Sequence, residues 1–230
     1  MKAIIITCRT LKAEVDQAIA ATSCNYSLLT LESALHNEPD KLREVLQATL
    51  DRVSNVDQVL LMMGFCGNAI LGLKPEGFNL VIPKADDCIT MLLGSQARRT
   101  EVQRDMPTLF FSKGWLDSSQ LMERTVFGEY ERILQRYGKE KAQKISQITF
   151  KHYKRLGLID TGSFEMEEML EKSQKYANFL KLSCGIIPGT LDYLKKMLTG
   201  PWDEDFIIIN SGETITLEHL FGNQITNPPA

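Results

Sequence analysis

The sequence has no pair of cysteines at CxxC spacing, no GxGxxG or GxxxxGK[ST] loop, and no GxSxG, HExxH or EF-hand pattern. These absences exclude the usual signatures of zinc ribbons, dinucleotide and P-loop binding, serine hydrolases, zincins and calcium loops. Long apolar runs are missing too. None nears the roughly 18 residues that a spanning helix requires, and the start MKAIIITCRT turns polar after one short apolar stretch instead of continuing as a signal-peptide core. A cytoplasmic protein with no membrane contact is expected. Positive charge is not in excess: 26 Lys and Arg stand against 29 Asp and Glu, a formal net charge of -3. Without a basic field to attract a phosphate backbone, nucleic acid is not an expected partner. The basic residues Lys139, Lys141, Lys144, Lys151, Lys154 and Arg155 alternate with acidic and apolar ones and read as a solvated helix face. Repeats, low-complexity tracts and long linkers are absent, so residues 1–230 are read as a single α/β domain.

What the sequence does have is a rhythm of short apolar runs and amphipathic stretches. Ala3 to Thr7, Tyr26 to Leu31, Gln58 to Met63, Asn79 to Ile82 and Thr108 to Phe111 read as strands. Leu11 to Ala21 and Asp40 to Val53 read as helices between them, the second with Leu42, Val45, Leu46, Leu50 and Val53 on one face. The alternation predicts a doubly wound, mostly parallel sheet with helices on both faces. Residues 118–156 read as an added helical segment broken near Gly138. Beyond it come a helix over Met166 to Asn178, strands at Phe179 to Ser183 and Phe206 to Ile209, and a helix over Thr190 to Leu198 between those strands.

In such a sheet, ligands bind beyond the carboxyl ends of the strands. Three of the five cysteines fall there: Cys8 after the first strand, Cys66 in the loop Gly64-Phe65-Cys66-Gly67-Asn68, and Cys88 after Asp86-Asp87. With no export signal and an odd number of cysteines, thiols or metal ligands are expected, not disulfides. Three thiolates would suit Zn²⁺ with an open fourth position, or an iron-sulfur cluster with one exchangeable iron. The competing reading is three small buried hydrophobes. Cys88 stands at a helix start, where the dipole favours a thiolate. Asp86 and Asp87 read either as a helix cap or as groups that orient a ligand or take a proton. His36 follows the second strand and is either a ligand or a loop hydrogen-bonder. Gly64, Gly67 and Asn68 offer backbone N–H groups to a carboxylate or phosphate, and Trp115 is either a pocket wall or core. Cys24 reads as structural, and Cys184, after a late strand, as a reserve fourth ligand.

The segments Gly64-Phe65-Cys66-Gly67-Asn68, Leu80-Val81-Ile82-Pro83-Lys84-Ala85-Asp86-Asp87-Cys88-Ile89-Thr90, Leu93-Gly94-Ser95 and Gly114-Trp115, in that order, resemble the uncharacterised family known as domain of unknown function 1638. The resemblance covers most of the chain. It implies a protein of anaerobic bacteria and methanogenic archaea, often in company with corrinoid-dependent methyltransferases. The family pattern marks Cys8, His36, Cys66, Gly67, Asp87 and Cys88, and each is matched here. The chain departs from it at Asp86, where relatives commonly have histidine; a carboxylate there suits a hard metal better than a soft one.

Together these readings lead to a metal-thiolate protein of anaerobic one-carbon or corrinoid-linked methyl metabolism. Cys8, Cys66 and Cys88 would hold zinc or an iron-sulfur cluster, with His36, Asp86 and Asp87 as second shell or alternative ligands. Gly64, Gly67, Asn68 and Trp115 would form the pocket, and the partner would be a small molecule or a corrinoid methyltransferase system. The alternative is a non-catalytic accessory protein that binds a corrinoid or another small molecule. No residue is singled out as catalytic.

Overall fold

The computed structural model describes residues 2–33, 35, 38–118 and 128–222. Its first half follows the expected rhythm. Strand β1 (Ala3–Cys8) passes through a 3₁₀ turn at Arg9–Leu11 into helix α1 (Lys12–Thr22), followed by β2 (Ser27–Leu31), α2 (Pro39–Leu50), β3 (Gln58–Met62) and β4 (Asn79–Pro83). Pro39 opens α2, where its missing N–H and fixed φ suit a helix start. The chain continues through α3 (Cys88–Leu93), α4 (Gln96–Asp105), β5 (Thr108–Phe111) and α5 (Lys113–Asp117). After it come α6 (Gly128–Tyr137), α7 (Lys139–Thr149), β6 (Arg155–Asp160), α8 (Met166–Leu180), β7 (Ser183–Pro188), α9 (Asp192–Thr199), β8 (Phe206–Ile209) and α10 (Leu217–Phe221). No helix among the described residues is long and apolar enough to cross a membrane.

The fold is α/β and mostly parallel, but its strands divide between two sheets. One has the order β2-β1-β3-β4-β8, the other β5-β6-β7. All pairings are parallel except β4 with β8. The division has a visible cause: β8 returns antiparallel to occupy the free edge of β4, so β5 cannot extend the first sheet. Alternate residues of each strand feed opposite faces. On one face Ile5, Leu60 and Val81 pack with Leu11, Val15 and Ala18 of the α1 region. On the other, Ile6, Leu61, Leu80 and Ile82 pack with Leu42, Leu46 and Leu50 of α2. The first of these clusters also takes in Ile159 and Ile187 of the second sheet and Leu194 and Met197 of α9, so one continuous core joins the two sheets.

The expected helical stretch over 118–156 is corrected at its end. Helices α6 and α7 do meet at Gly138, whose φ of 83° breaks them, and residues 119–127 lie outside the described residues. Arg155, however, begins β6, the central strand of the second sheet. Gly157 hides this strand by interrupting its apolar run. A Cβ there would stand 2.6 Å from Thr108 Cγ2 and 2.8 Å from Ile187 Cγ1, so glycine is what lets β5 and β7 side chains close over β6. The strand expected at Phe179 to Ser183 instead begins at Ser183, because Phe179 and Leu180 finish α8.

Candidate functional site

The strand order places β1 between β2 and β3, and the following helices α1 and α2 cover opposite faces. The switch point, where α/β sheets bind ligands, therefore falls beyond the carboxyl ends of β1 and β3. Cys8 is the last residue of β1, and Cys66 lies in the turn after β3. Cys88 opens α3 after β4. Two glycines permit the loops to touch. A Cβ on Gly64 would lie 2.5 Å from Asp87 Cα, and one on Gly114 would lie 2.0 Å from the Thr10 carbonyl oxygen. The first contact seats the β3 exit on the β4 exit, and the second seats α5, from the second sheet, on the 3₁₀ turn after Cys8.

Cys66, Gly67 and Asn68 have φ of 47°, 68° and 64°, three successive residues in the left-handed region. Glycine adopts it freely, whereas a cysteine held there costs about 1–2 kcal/mol. The conformation is fixed by neighbours: the Cys66 N–H donates to the Asp86 carbonyl at 2.9 Å, and the Phe65 N–H to the Ala85 carbonyl at 2.8 Å. Strain held in this way is common at functional loops.

The three thiols lie within electrostatic range of one another. Burial, then the charges of Cys8 and Asp87, push the Cys66 thiol up, against the Gly64 amide, which favours its thiolate. Cys66 is only partly covered as a residue, but its sulfur is deep enough for burial to dominate. Burial, Asp87, Cys66 and Cys8 push Cys88 well up, opposed by the Trp115 indole N–H. That N–H is buried and makes no well-formed hydrogen bond. Burial also raises Cys8, while Thr10 favours its thiolate, with Oγ1 donating to Cys8 Sγ at 3.2 Å. The helix start expected at Cys88 is present, capped by Asp87, yet its pull toward a thiolate is overridden: α3 has six residues, all buried. Burial thus raises all three thiols above the ordinary cysteine range, with Arg9 and Thr10 opposing it at Cys8.

Asp87 fulfils the capping reading. Its Oδ1 accepts from the Thr90 N–H at 3.1 Å and from Arg99 Nη1 at 2.8 Å. Its charge also reaches Cys66 and Cys88. Asp86 is not brought to the thiols. Its side chain is exposed and lines a separate cleft of about 430 Å³ with Phe65, Lys84, Gln96 and His219. His36 lies outside the described residues. Gly67 and Asn68 are exposed at the loop tip, Gly64 works by close approach, and Trp115 reaches Cys88. Cys24 packs against the α1 core, as expected of a structural cysteine. Cys184 is corrected: it is the second residue of β7, at the strand's amino end, and so lies away from the carboxyl edge where a fourth ligand would be needed. All five cysteines are thiols.

Sequence reasoning passed over Thr10 and Arg99. Thr10 stands two residues from Cys8, and that proximity was an available signal. Nothing in the sequence sets Arg99 apart from the other charged residues of α4. A cleft of about 670 Å³ opens between the β1 and β2 exits and α5, lined by Arg9, Lys12, Glu32, Ser33, Lys113 and Gly114 among others. Among the described residues, no group of three or more His, Cys, Asp or Glu side chains is arranged to hold a metal ion as it stands.

A family model described as a protein of unknown function, DUF1638, matches residues 30–198. The chain belongs to this family. The match takes in Cys66, Asp87, Cys88 and Trp115, whereas Cys8 precedes it. No curated protein and no solved structure matches the chain. In this member of the family, the matched segment contains the β3 and β4 exits, and the β1 exit lies outside it.

Proposed function

We propose that the chain is a metal-thiolate protein in which Cys8, Cys66 and Cys88 hold zinc or an iron-sulfur cluster. The supporting observation is that Cys8, Cys66 and Cys88 follow three neighbouring strands, β1, β3 and β4, at their carboxyl ends, with Thr10 Oγ1 donating to Cys8 Sγ at 3.2 Å. Donors to sulfur stabilise thiolates and orient them toward a metal. Three thiolates this close repel one another, and a bound cation is what makes their joint deprotonation favourable. The all-sulfur set suits a soft or borderline metal. When bound, zinc would offer an open coordination position for a substrate thiol or water, and a cluster would offer an exchangeable iron. The family resemblance sets this chemistry in anaerobic one-carbon or corrinoid-linked methyl metabolism, in a cytoplasmic protein.

Elemental analysis of anaerobically purified protein tests this. Stoichiometric zinc or iron is expected, lost in Cys8→Ser, Cys66→Ser and Cys88→Ser but kept in Cys24→Ser and Cys184→Ser. Only trace metal in the unaltered chain would remove the reading. A second reading is favoured by the cleft of about 670 Å³ between the β1 and β2 exits and α5: an accessory protein that binds a corrinoid or small molecule without metal ligation. A change in the visible spectrum of cobalamin on mixing with metal-free protein would support it.

A further inference from the structure

Helix α5 meets the turn after β1 where Gly114 touches Thr10, and the residues preceding that contact, Lys113 and Arg9, both line the cleft of about 670 Å³. Among the described residues that line it, only Ala13 and Gly114 lack a polar side chain. The charges come as three pairs from three places. Arg9 Nη2 donates to Glu32 Oε1 at 2.6 Å across the two strand exits, Lys12 Nζ to Asp16 Oδ2 at 2.6 Å along α1, and Lys113 pairs with Asp117 along α5. Every side chain in these pairs is at least 31% exposed, and exposed pairs hold weakly, so a ligand opens them at little cost. Two of the cations turn to a ligand with least disruption. Asp117 also takes Lys172 Nζ at 3.3 Å, so it stays paired when Lys113 leaves. Among the described residues, Arg9 spends one nitrogen on Glu32, and the rest of its fork is open. The wall of the cleft also holds a hydroxyl without a partner: Ser33 is 4% exposed, and among the described residues its Oγ makes no hydrogen bond. A covered polar group left unsatisfied is unusual, and one rotamer change brings a serine hydroxyl to a new acceptor.

We infer that this cleft binds a small zwitterion of the amino-acid class, its carboxylate held by Arg9, Lys113 and the Ser33 hydroxyl and its ammonium by Glu32 and Asp16. The inference rests on the accessory reading and names the chemistry of its ligand. Charge balance decides the class. An anion would meet three carboxylates and a cation three positive side chains, whereas a molecule with both signs finds a partner at each end and leaves the total balanced. Apolar ligands are disfavoured, because sites for them are lined mainly by apolar and aromatic side chains. Arg9 supplies planar two-point recognition of a carboxylate, and Lys113 adds a point charge beside it.

The test follows thermal unfolding of the full chain with pools of the common L-amino acids, then titrates each stabilising amino acid by calorimetry. At least one is expected to raise the melting temperature to a plateau. Propionate and ethylamine, which each carry one of the two charges, are expected to bind about 10-fold more weakly or worse. Arg9→Gln and Lys113→Met are expected to weaken the amino acid about 10–100-fold, the loss of a charge-assisted hydrogen bond, and Ser33→Ala about 3–10-fold. Lys195→Met, on α9 and outside the cleft, is expected to bind as the unaltered chain does. If one cleft variant fails to fold, the other two carry the comparison. Full affinity in the cleft variants would overturn the inference, as would propionate binding as tightly as the amino acid. A change in the cobalamin spectrum without binding of any amino acid would remove this inference and leave the accessory reading standing, whereas neither response would remove both.

Discussion

Glu14 is fully covered on α1, and neither of its carboxylate oxygens has a hydrogen-bond partner. Burial pushes its pKa from 4.5 up to about 7, despite the favourable charge of Lys113. The unfolded chain therefore releases this proton near the ordinary value while the folded chain retains it to about 7. Between those pH values the native state binds more protons, so stability falls as pH rises and stays low above 7. At about 1.4 kcal/mol for each unit, the loss is on the order of 3 to 3.5 kcal/mol. Glu14→Gln keeps the shape of the protonated acid. Urea unfolding is expected to show the variant and the unaltered protein alike near pH 4.5, with the variant about 3 kcal/mol more stable at pH 8. An unchanged difference between the two pH values would show that Glu14 has an ordinary pKa. None of this is visible in the sequence, where Glu14 sits in an ordinary amphipathic stretch. The thiols were more legible, because Cys8, Cys66 and Cys88 each follow an apolar run and the βα rhythm alone sends such residues to one edge. Their depth of burial was not, since it depends on all three elements at once.

At the scale of elements, the site depends on α5 lying hard against the turn after β1. Gly114 permits this, and the sequence offered only the dipeptide Gly114-Trp115 as a hint. The pairing of that dipeptide with Thr10 requires knowing that the second sheet presents its β5 exit to the first. The same blindness hid β6, where Gly157 interrupts the apolar run for a packing reason that lies in β5 and β7. Gly114→Ala would place a methyl group 2.0 Å from the Thr10 carbonyl, a contact that backbone must move to relieve. Overpacking of this sort costs about 1–3 kcal/mol, and the movement would draw Trp115 from Cys88. In a Trp202→Phe background, Trp115 fluorescence reports alone. Gly114→Ala is expected to shift its emission to the red and lower the unfolding free energy by about 2 kcal/mol. Unchanged emission would mean that α5 does not depend on this contact. A milder element-level change, Ser95→Ala, removes the cap on α4 and should cost about 1 kcal/mol by thermal unfolding.

At the scale of the whole molecule, two sheets could behave as two folding units or as one. The buried cluster decides between them. Ile5, Leu60 and Val81 of the first sheet and Ile159 and Ile187 of the second belong to one contiguous core, and α9 supplies its middle with Tyr193, Leu194, Met197 and Leu198. Helix α9 contacts α1, α3 and β3, so it ties the first βαβ unit to the segment that leaves β7. The chain itself reinforces this, since β8, which completes the first sheet, comes after all three strands of the second in sequence. Sheets joined in this way cannot separate without exposing the shared apolar surface to water, at roughly 25 cal/mol for each Å². One cooperative transition is therefore expected, and a cavity in α9 should weaken both sheets together. Leu194, with no exposed surface, is the position to test. Leu194→Ala should lose about 2–5 kcal/mol, moving the midpoint down by about 2–4 °C for each kcal/mol in a chain of this size. Calorimetry should show a single peak displaced whole, and hydrogen exchange should show β1, β3, β6 and β7 amides losing protection in parallel. A split peak, with β6 and β7 retaining their protection while β1 and β3 lose theirs, would mean that the two sheets are independent units.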